Sequence, residues 1–436
     1  MPPSSGNPVF YGWKLSVLML FGNCMFQGGA IYLMNVFIQP FGELYGWNRG
    51  ELGSAQGLGS FVGMAAAPLL ASFAMRIGLR KTMLLGSLCG GFSLIMLARI
   101  PDLWLFTLNF CLLWAASQAC GGVLGNALMS NWFVRHRGKA FGLANFGMSF
   151  GGVILPFAAL FLTNTVGVQT ACAILGAIAL LVLVPGVWFL VRDTPEELGM
   201  RPDGDTAPDA AGEKTDMAAP NAGEPNPTVS ELLRNLLIYR VGFAFTFGIL
   251  VGAGAVAQLK PRISDLGYND ATAMAFLCLT ALCAACSKYG WGWLADRLSP
   301  IRAARMLFVT GAVAMALAFL PQNIVTVALF AALSGLAMGS WTLFPAVLAD
   351  IFGRAHFIAV YRVASVFVFF KSFGYIIMGK SHELTGTYDG AYLVFCALFA
   401  AAFFLIPREG TKYRRSPAAL AESAVEPPAG KPAASA

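Results

Sequence analysis

The sequence predicts an all-α membrane protein whose twelve transmembrane helices form two pseudo-symmetric bundles of six. The 436 residues have a mean hydropathy of +0.67, with 57% hydrophobic and only 12% charged residues. A soluble protein of this length exposes more charge. The chain also contains repeated apolar runs of about 20 residues, the length that crosses a bilayer. Its two halves, finally, resemble each other.

The apolar runs define twelve predicted spans. Basic residues such as Arg76, Arg135 and Arg354 cluster in short loops at one set of alternating span ends. The positive-inside rule places such loops, and therefore both termini, in the cytoplasm. The spans are 12–40, 50–75, 81–100, 103–130, 138–163, 168–191, 239–262, 271–294, 303–320, 323–349, 357–380 and 388–407.

A stretch of different composition divides the chain between the sixth and seventh spans. Residues 193–238 are rich in Pro, Ala, Gly, Asp and Glu and poor in large apolar residues. Such a segment cannot bury a core, and we predict a flexible cytoplasmic linker. The predicted units are an N-terminal six-helix bundle (1–192), the linker (193–238), a C-terminal six-helix bundle (239–410) and a disordered cytoplasmic tail (411–436).

The two halves carry an internal repeat. Residues 39–48 follow the first span and residues 260–269 follow the seventh, and their Pro, Gly, aromatic and Asn positions are all offset by 221. The same offset relates Arg76 to Arg297. Duplicated helix bundles around a site at the membrane midplane are the usual construction of secondary transporters.

Glycine spacing predicts close helix packing. Lipid provides no hydrophobic drive between helices, so small residues that let backbones approach matter more in membranes than in water. The predicted pairs are Gly53/Gly57, Gly59/Gly63, Gly121/Gly125, Gly147/Gly151, Gly248/Gly252 and Gly335/Gly339.

Two lysines lie inside apolar spans, Lys288 in the eighth and Lys371 in the eleventh. We find no acidic residue at matching depth in any predicted span. Intramembrane ionisable residues usually line a cavity or a transport path, so two unbalanced cations predict an anionic ligand. The alternative is that the long side chains extend to the membrane surface, which is harder for Lys371 because it lies near the midplane.

The same two lysines are candidates for proton coupling. Burial disfavours the charged form of a lysine, and an arriving carboxylate favours it again. Lys371 or Lys288 can therefore take up one proton together with each anion. This hypothesis requires no membrane carboxylate.

Other polar residues either complete the substrate site or join helices by hydrogen bonds. Tyr32 is the strongest of this group. Trp114 and Trp341, both in mid-span, either wall the cavity or fill the core. The predicted substrate-binding residues besides the lysines are Tyr32, Asn126, Gln118, Tyr289 and Tyr375.

One loop motif links the chain to a known family. Residues 292–302, with Asp296, Arg297 and Arg302, resemble the G-x-L-A-D-R loop motif of the major facilitator superfamily, and the architecture resembles that superfamily over essentially the whole chain. In the family this motif helps to hold the two halves in one access state. The resemblance implies a latch formed by Asp296, Arg297, Arg302 and Arg76. The first-half copy has Met75 in place of the acid.

Two further segments, 11–14 and 131–147, resemble the monocarboxylate transporter and oxalate/formate antiporter families. In these families a cation four residues before a glycine of the eighth helix commonly contacts the substrate carboxylate, and Lys288 stands at this place. Lys371 fits the eleventh-helix lysine of the oxalate/formate branch. The monocarboxylate branch has Asp where this chain has Ala284 and Lys where it has Tyr32.

These observations predict a secondary active transporter of small organic anions. We favour proton-coupled symport of a monocarboxylate such as lactate or pyruvate by alternating access. A carboxylate or dicarboxylate exchanger of the oxalate/formate type and a non-transporting nutrient receptor with a transporter fold are the alternatives. The predicted partners are a small carboxylate, protons or a counter-anion, and the lipid bilayer, with a monomeric transport unit.

Several classes are excluded by what the sequence lacks. It has no P-loop and no catalytic constellation, and its three histidines lie too far apart in the topology to share a metal. We therefore predict no enzyme activity, no cofactor and no metal. The net charge of +7 resides in loop cations that orient the protein, so nucleic acid is not a predicted partner. The predicted location is a bacterial plasma (inner) membrane.

Overall fold

The computed structural model describes residues 10–47, 49–204 and 226–413, and all regular structure within these residues is helical. Twelve long helical units follow one another, several of them with an irregular segment inside. Their bounds are α1 (Tyr11–Gly22, Asn23–Gly28 and Gly29–Tyr45), α2 (Arg49–Ile77), α3 (Leu79–Met96), α4 (Leu103–Cys120 and Val123–Trp132), α5 (Arg137–Val166), α6 (Val168–Leu190), α7 (Leu236–Ala257 and Leu259–Asp265), α8 (Asp270–Arg297), α9 (Pro300–Ala316), α10 (Ile324–Ala337 and Ser340–Phe352), α11 (Phe357–Phe367, Val368–Ser372 and Phe373–Thr385) and α12 (Asp389–Leu405).

The predicted all-α membrane fold is confirmed. Ten segments in the described part of the chain are long and apolar enough to cross a membrane. The other two units are α3, which begins with Arg80 and Lys81 in its first turn, and α12, an apolar helix of 17 residues. Each of the twelve predicted spans therefore corresponds to a helix. We call the end of the bundle that carries Arg76, Arg135 and Arg354 the basic end.

Helix boundaries repeat between the halves. Asp102 caps α4 by accepting the N–H of Leu105 at 2.8 Å, and Asn323 caps α10 by accepting the N–H of Thr326 at 3.0 Å. Acceptor side chains at this position satisfy a backbone donor that the helix itself cannot. Four pairs of corresponding helices begin 221 residues apart: Arg49/Asp270, Leu79/Pro300, Leu103/Ile324 and Val168/Asp389.

Two glycines mark the same repeat. Gly46 ends α1 with φ of 74°, and Gly267 follows α7 with φ of 86°. Glycine adopts this left-handed conformation without steric cost, which is why it often ends helices. These two positions are again 221 residues apart, so the offset seen in the sequence reflects a structural duplication.

Five helices are irregular in their interiors, and one of them, α7, is interrupted at Gln258. Residues Asn23–Gly28 of α1 form a π-helical segment, and Val368–Ser372 of α11 form a 3-10 segment. Gly121 and Gly122 interrupt α4, and Met338 and Gly339 interrupt α10. Irregular turns inside helices often mark functional sites, and broken helices commonly form the binding sites of transporters.

One close approach between the halves joins α5 to α8, which run antiparallel. A Cβ on Gly142 would lie 2.7 Å from the carbonyl oxygen of Lys288, and a Cβ on Gly292 would overlap the carbonyl oxygen of Gly138. The two backbones are therefore in direct contact, as small residues allow. None of these glycines belongs to the six predicted pairs.

Most of the predicted glycine pairs do contact another helix. Gly59 and Gly63 face Trp114, and Gly147 and Gly151 face the backbone of α1. The prediction was wrong for Gly53 and Gly57, since no atom lies within 4 Å of a Cβ built on either. Spacing alone does not indicate which side of a helix faces a neighbour.

The first part of the predicted linker is held against the first half. Asp193 accepts the N–H groups of Leu79 and Arg80 at 2.8 Å, and Asp203 accepts those of Val134 and Arg135 at 2.8 Å. These two acids therefore accept hydrogen bonds from backbone donors of the first half. This part of the predicted linker is thus attached to the bundle, whereas we predicted a linker that is flexible throughout. Residues 205–225 of the predicted linker and 414–436 of the predicted tail lie outside the described residues.

The α5–α8 contact predicts a large difference between two substitutions on one helix. We expect Gly292→Ala to destabilise the protein by about 1–3 kcal/mol, because the new methyl group would overlap a backbone carbonyl that has no rotamer to change. The measurement is the melting temperature of the purified protein in detergent. Gly290→Ala is the matched control, since nothing lies within 4 Å of a Cβ there. Equal melting temperatures for the two variants would contradict the contact.

Candidate functional site

Lys288 is enclosed between the halves. Its side chain is 1% exposed, and its Nζ donates a hydrogen bond to Oγ of Ser149 on α5. The Lys288 carbonyl oxygen lies beside Gly142, whereas its Nζ reaches Ser149, which is seven residues or roughly 10 Å further along α5. The side chain is therefore extended along that helix. That direction leads away from the basic end. Side chains tilt toward the N-terminus of their helix, and α8 begins at the opposite end, so Lys288 does not extend to the nearer membrane surface.

Lys371 lies between two tryptophans. Its Nζ is 5.9 Å from the ring centroid of Trp114 on α4 and 5.7 Å from that of Trp341 on α10. Both distances lie within the range of a cation–π attraction. Lys371 itself is half-buried and lies on the 3-10 segment of α11. The two tryptophans come from different halves, so Lys371 stands at the boundary between them.

Two tyrosines accompany Lys371. Tyr375 follows it by one helical turn and is 48% exposed. Tyr32 of α1 packs over Gly152 of α5, where a Cβ would lie 2.7 Å from its ring atom Cζ. The two phenol groups are within electrostatic range of each other. The structure thus brings three of the predicted binding residues, Lys371, Tyr375 and Tyr32, into one region.

Neither lysine has an acidic partner in the described parts of the chain. None of the ion pairs found there includes Lys288 or Lys371. Lys288 has a hydroxyl group as its neighbour and Lys371 has two aromatic rings. Such neutral groups attract a cation but do not neutralise its charge. Removing a charge from water without a partner is costly. The arrangement therefore favours an anion from outside the protein.

Three other predicted binding residues lie elsewhere. Asn126 donates to the Tyr361 hydroxyl and accepts from the Asn145 amide, each at 3.2 Å, and so links the halves nearer the basic end. Gln118 is buried within α4 against Gly122. Tyr289 is 44% exposed, on the side of α8 that also exposes Leu282 and Trp293. Sequence distance placed Tyr289 near Lys288, but successive helical residues point about 100° apart.

Of the four predicted latch residues, only Asp296 has an inter-half hydrogen bond within the described parts of the chain. Asp296 accepts the N–H groups of Gly138 at 2.6 Å and Lys139 at 2.9 Å, and so caps the N-terminus of α5. A carboxylate at this position also interacts favourably with the helix dipole. Arg297 stacks on Trp293 at 4.2 Å, Arg302 pairs with Glu409 within the second half, and Arg76 is exposed.

An ion pair that the sequence did not indicate also joins the halves. Arg354 donates to both carboxylate oxygens of Glu196, at 2.6 and 2.7 Å. Burial tends to raise the pKa of the Glu196 carboxyl. The hydrogen bonds from Arg354 act in the opposite direction and hold this pKa below its usual value. Glu196 sits in the polar stretch after α6, where composition alone gives no signal of a partner.

Further contacts at the basic end strengthen this closure. Arg137 donates to the Ala349 carbonyl at 3.3 Å, and Arg362 donates to the Ser72 hydroxyl at 3.4 Å. The rings of Phe141 and Phe357 stack at 6.1 Å. Together with Asp296 and Glu196, these contacts hold α2 and α5 of the first half against the second half.

Comparisons with known proteins identify the fold. The sequence model of the Major Facilitator Superfamily matches residues 19–379. The chain is 24% identical to the uncharacterized MFS-type transporter YhjX of Escherichia coli (64% of this chain, 65% of the relative) and 24% identical to mouse Monocarboxylate transporter 11 (68% and 61%). The chain thus spans less than two thirds of these relatives' lengths.

Solved structures show the same architecture. FucP, an MFS transporter in its outward conformation, has a TM-score of 0.68 at 17% identity, covering 91% of this chain and 98% of FucP. The human organic anion transporter MFSD10 has a TM-score of 0.66 at 16% identity, covering 92% and 100%. Similarity at this level of identity concerns the fold alone.

The Glu196–Arg354 pair yields a double-mutant prediction. We expect Glu196→Gln and Arg354→Gln each to lower the melting temperature, with a coupling free energy of roughly 0.2–1 kcal/mol because the pair is partly exposed. The folded-state pKa of Glu196 is depressed, so its contribution is present at neutral pH and is lost as the pH falls through that value.

Glu197→Gln is the matched control, since Glu197 is exposed and adjacent. A coupling free energy near zero at neutral pH would show that the pair does not hold the halves together. A coupling free energy that persists at a pH at which Glu196 is protonated would show the same.

Proposed function

The chain belongs to the Major Facilitator Superfamily and is a multi-pass membrane protein, and we propose that it transports small organic anions. It would carry them as a secondary active transporter by alternating access. The observation that carries this proposal is the pair of unbalanced lysines at the boundary between the halves. A cation that no acid neutralises can bind a carboxylate through charge-assisted hydrogen bonds, and among the described residues Lys371 and Lys288 are two such cations.

The proposed site assigns a role to each residue. Lys371, half-exposed between Trp114 and Trp341, is the first cation that an anion would contact. Tyr375 and Tyr32 offer hydroxyl donors on either side of the boundary between the halves. Lys288 lies deeper and would provide the second cation. Asp296 would hold the basic end closed while the site is open to the other end.

The names of some relatives agree with this assignment. One is a monocarboxylate transporter and one a human organic anion transporter. Others with the same fold are named as fucose and xylose symporters. Because one fold serves both kinds of substrate, the case for anions rests on the lysines and not on the fold.

For the energy source we favour proton-coupled symport of a monocarboxylate such as lactate or pyruvate, with Lys371 or Lys288 taking up the proton. Exchange of carboxylates or dicarboxylates is the second candidate. It is favoured by Ala284, which stands where the monocarboxylate branch has an acid. Two lysines can bind one carboxylate together or one carboxylate each.

The proposed orientation follows from the loop charges. The basic end faces the cytoplasm under the positive-inside rule, together with both termini. The proposed location is a bacterial inner membrane, with a single chain as the transport unit.

Uptake by proteoliposomes tests the proposal. We expect labelled L-lactate to accumulate when the outside is made acidic, and we expect Lys371→Ala to lower the apparent affinity roughly tenfold or more, since the lost hydrogen bond is charge-assisted. Uptake that requires vesicles preloaded with formate, oxalate or lactate, and not a pH step, would instead identify exchange.

Lys380→Ala is the matched control on the same helix. Lys380 is exposed at the end of α11 opposite the basic end, where it pairs with Glu383 at 2.8 Å. We expect this variant to transport like the unmodified protein. Undiminished carboxylate uptake by Lys371→Ala would refute the assigned role of Lys371.

A further inference from the structure

Ser149 is the one acceptor that the structure shows for the Lys288 ammonium. An ammonium group has three N–H donors, and the hydrogen bond to Ser149 uses one of them. No second acceptor for Lys288 is found among the described residues. Both side chains are buried, with exposures of 1% for Lys288 and 7% for Ser149. Two of its donors therefore have no acceptor among the described residues.

The position of Ser149 on α5 determines where this ammonium lies. Ser149 is three residues, about one helical turn, before Gly152, which packs against Tyr32. Tyr32 in turn lies within electrostatic range of Tyr375, one turn after Lys371. The hydrogen bond thus holds the Lys288 Nζ beside α5, about one helical turn from the position where Tyr32 packs on that helix. Without it, four rotatable bonds would leave the ammonium unfixed.

The acceptor is also neutral. A serine hydroxyl holds the ammonium in place but leaves its charge uncompensated, whereas an acid at the same position would neutralise it. The charge of Lys288 therefore remains available to an anion while its position is fixed.

We propose that Ser149 is a positioning and specificity-determining residue: it orients Lys288 toward the anion site and keeps that site selective for negatively charged substrates by being uncharged. This inference rests on the proposed function. It concerns a residue of the first half that acts through a lysine of the second half, so the complete site forms only when α5 and α8 are in contact.

Four variants test the proposal by lactate uptake, with KM and maximal rate measured separately. We expect Ser149→Ala to raise KM roughly tenfold with little change in maximal rate, and Ser149→Thr to keep the wild-type KM because it keeps the hydroxyl. Ser149→Asp is expected to lose uptake, since its carboxylate occupies Lys288. Ser130→Ala is the matched control, because Ser130 is fully buried on α4 and its hydroxyl has no hydrogen-bond partner among the residues that the structure describes.

The outcomes separate the two proposals. If the wild-type protein takes up none of lactate, pyruvate, formate or oxalate, the anion-transport proposal fails and the role of Ser149 fails with it. If the wild type is active but Ser149→Ala has the KM of Ser130→Ala, only the role of Ser149 is overturned.

Melting temperatures measured in parallel identify variants that do not fold. If Ser149→Ala unfolds, the comparison of Ser149→Thr with Ser149→Asp decides. A wild-type KM for Ser149→Thr together with a loss of uptake by Ser149→Asp would support the proposal. Equal KM values for both would overturn it.

Discussion

The rest of the structure depends on the backbone contact between α5 and α8. Gly138, Gly142 and Gly292 have no side chains, so the two helices approach until their backbones touch. This approach brings the Asp296 carboxylate onto the first N–H groups of α5 at one level and Lys288 within reach of Ser149 at another. Closure of the basic end and placement of the cation are therefore two results of the same antiparallel contact.

The sequence predicted the twelve helices and their duplication because both depend on local signals, namely apolar runs and offset turn residues. It also found the two lysines, because charge in an apolar span is conspicuous. It could not predict which polar residues meet. Tyr289 and Gln118 lie in the right helices, but in the described part of the chain neither forms a hydrogen bond with a lysine. The partners Ser149, Glu196 and Arg354 become evident only when distant segments are brought together. Side-chain direction and inter-helix register, which composition does not encode, determine these contacts.

The helix irregularities show how the bundle accommodates its polar centre. The 3-10 segment carries Lys371, the break in α4 follows Gln118, and the break in α10 precedes Trp341. Regular helices would bond every backbone group internally and leave no freedom for local rearrangement. The interruptions occur in both halves but not at positions related by the 221-residue offset, so in this feature the two halves differ.

The location of both lysines in one half has an electrical consequence. Their first-half counterparts under the 221-residue offset are Ala67 and Phe150, so the fixed positive charge moves with the second half alone. Each elementary charge that crosses the membrane potential gains or loses about 2.3 kcal/mol per 100 mV. A bound anion cancels part of the charge carried by the lysines. The two proposed mechanisms therefore differ in their response to voltage. In exchange both lysines stay charged, so the empty carrier bears more positive charge than the carrier that holds an anion. In proton symport the lysine that takes up the proton is neutral when the site is empty, so the lysines and the bound anion together bear the same net charge in both states.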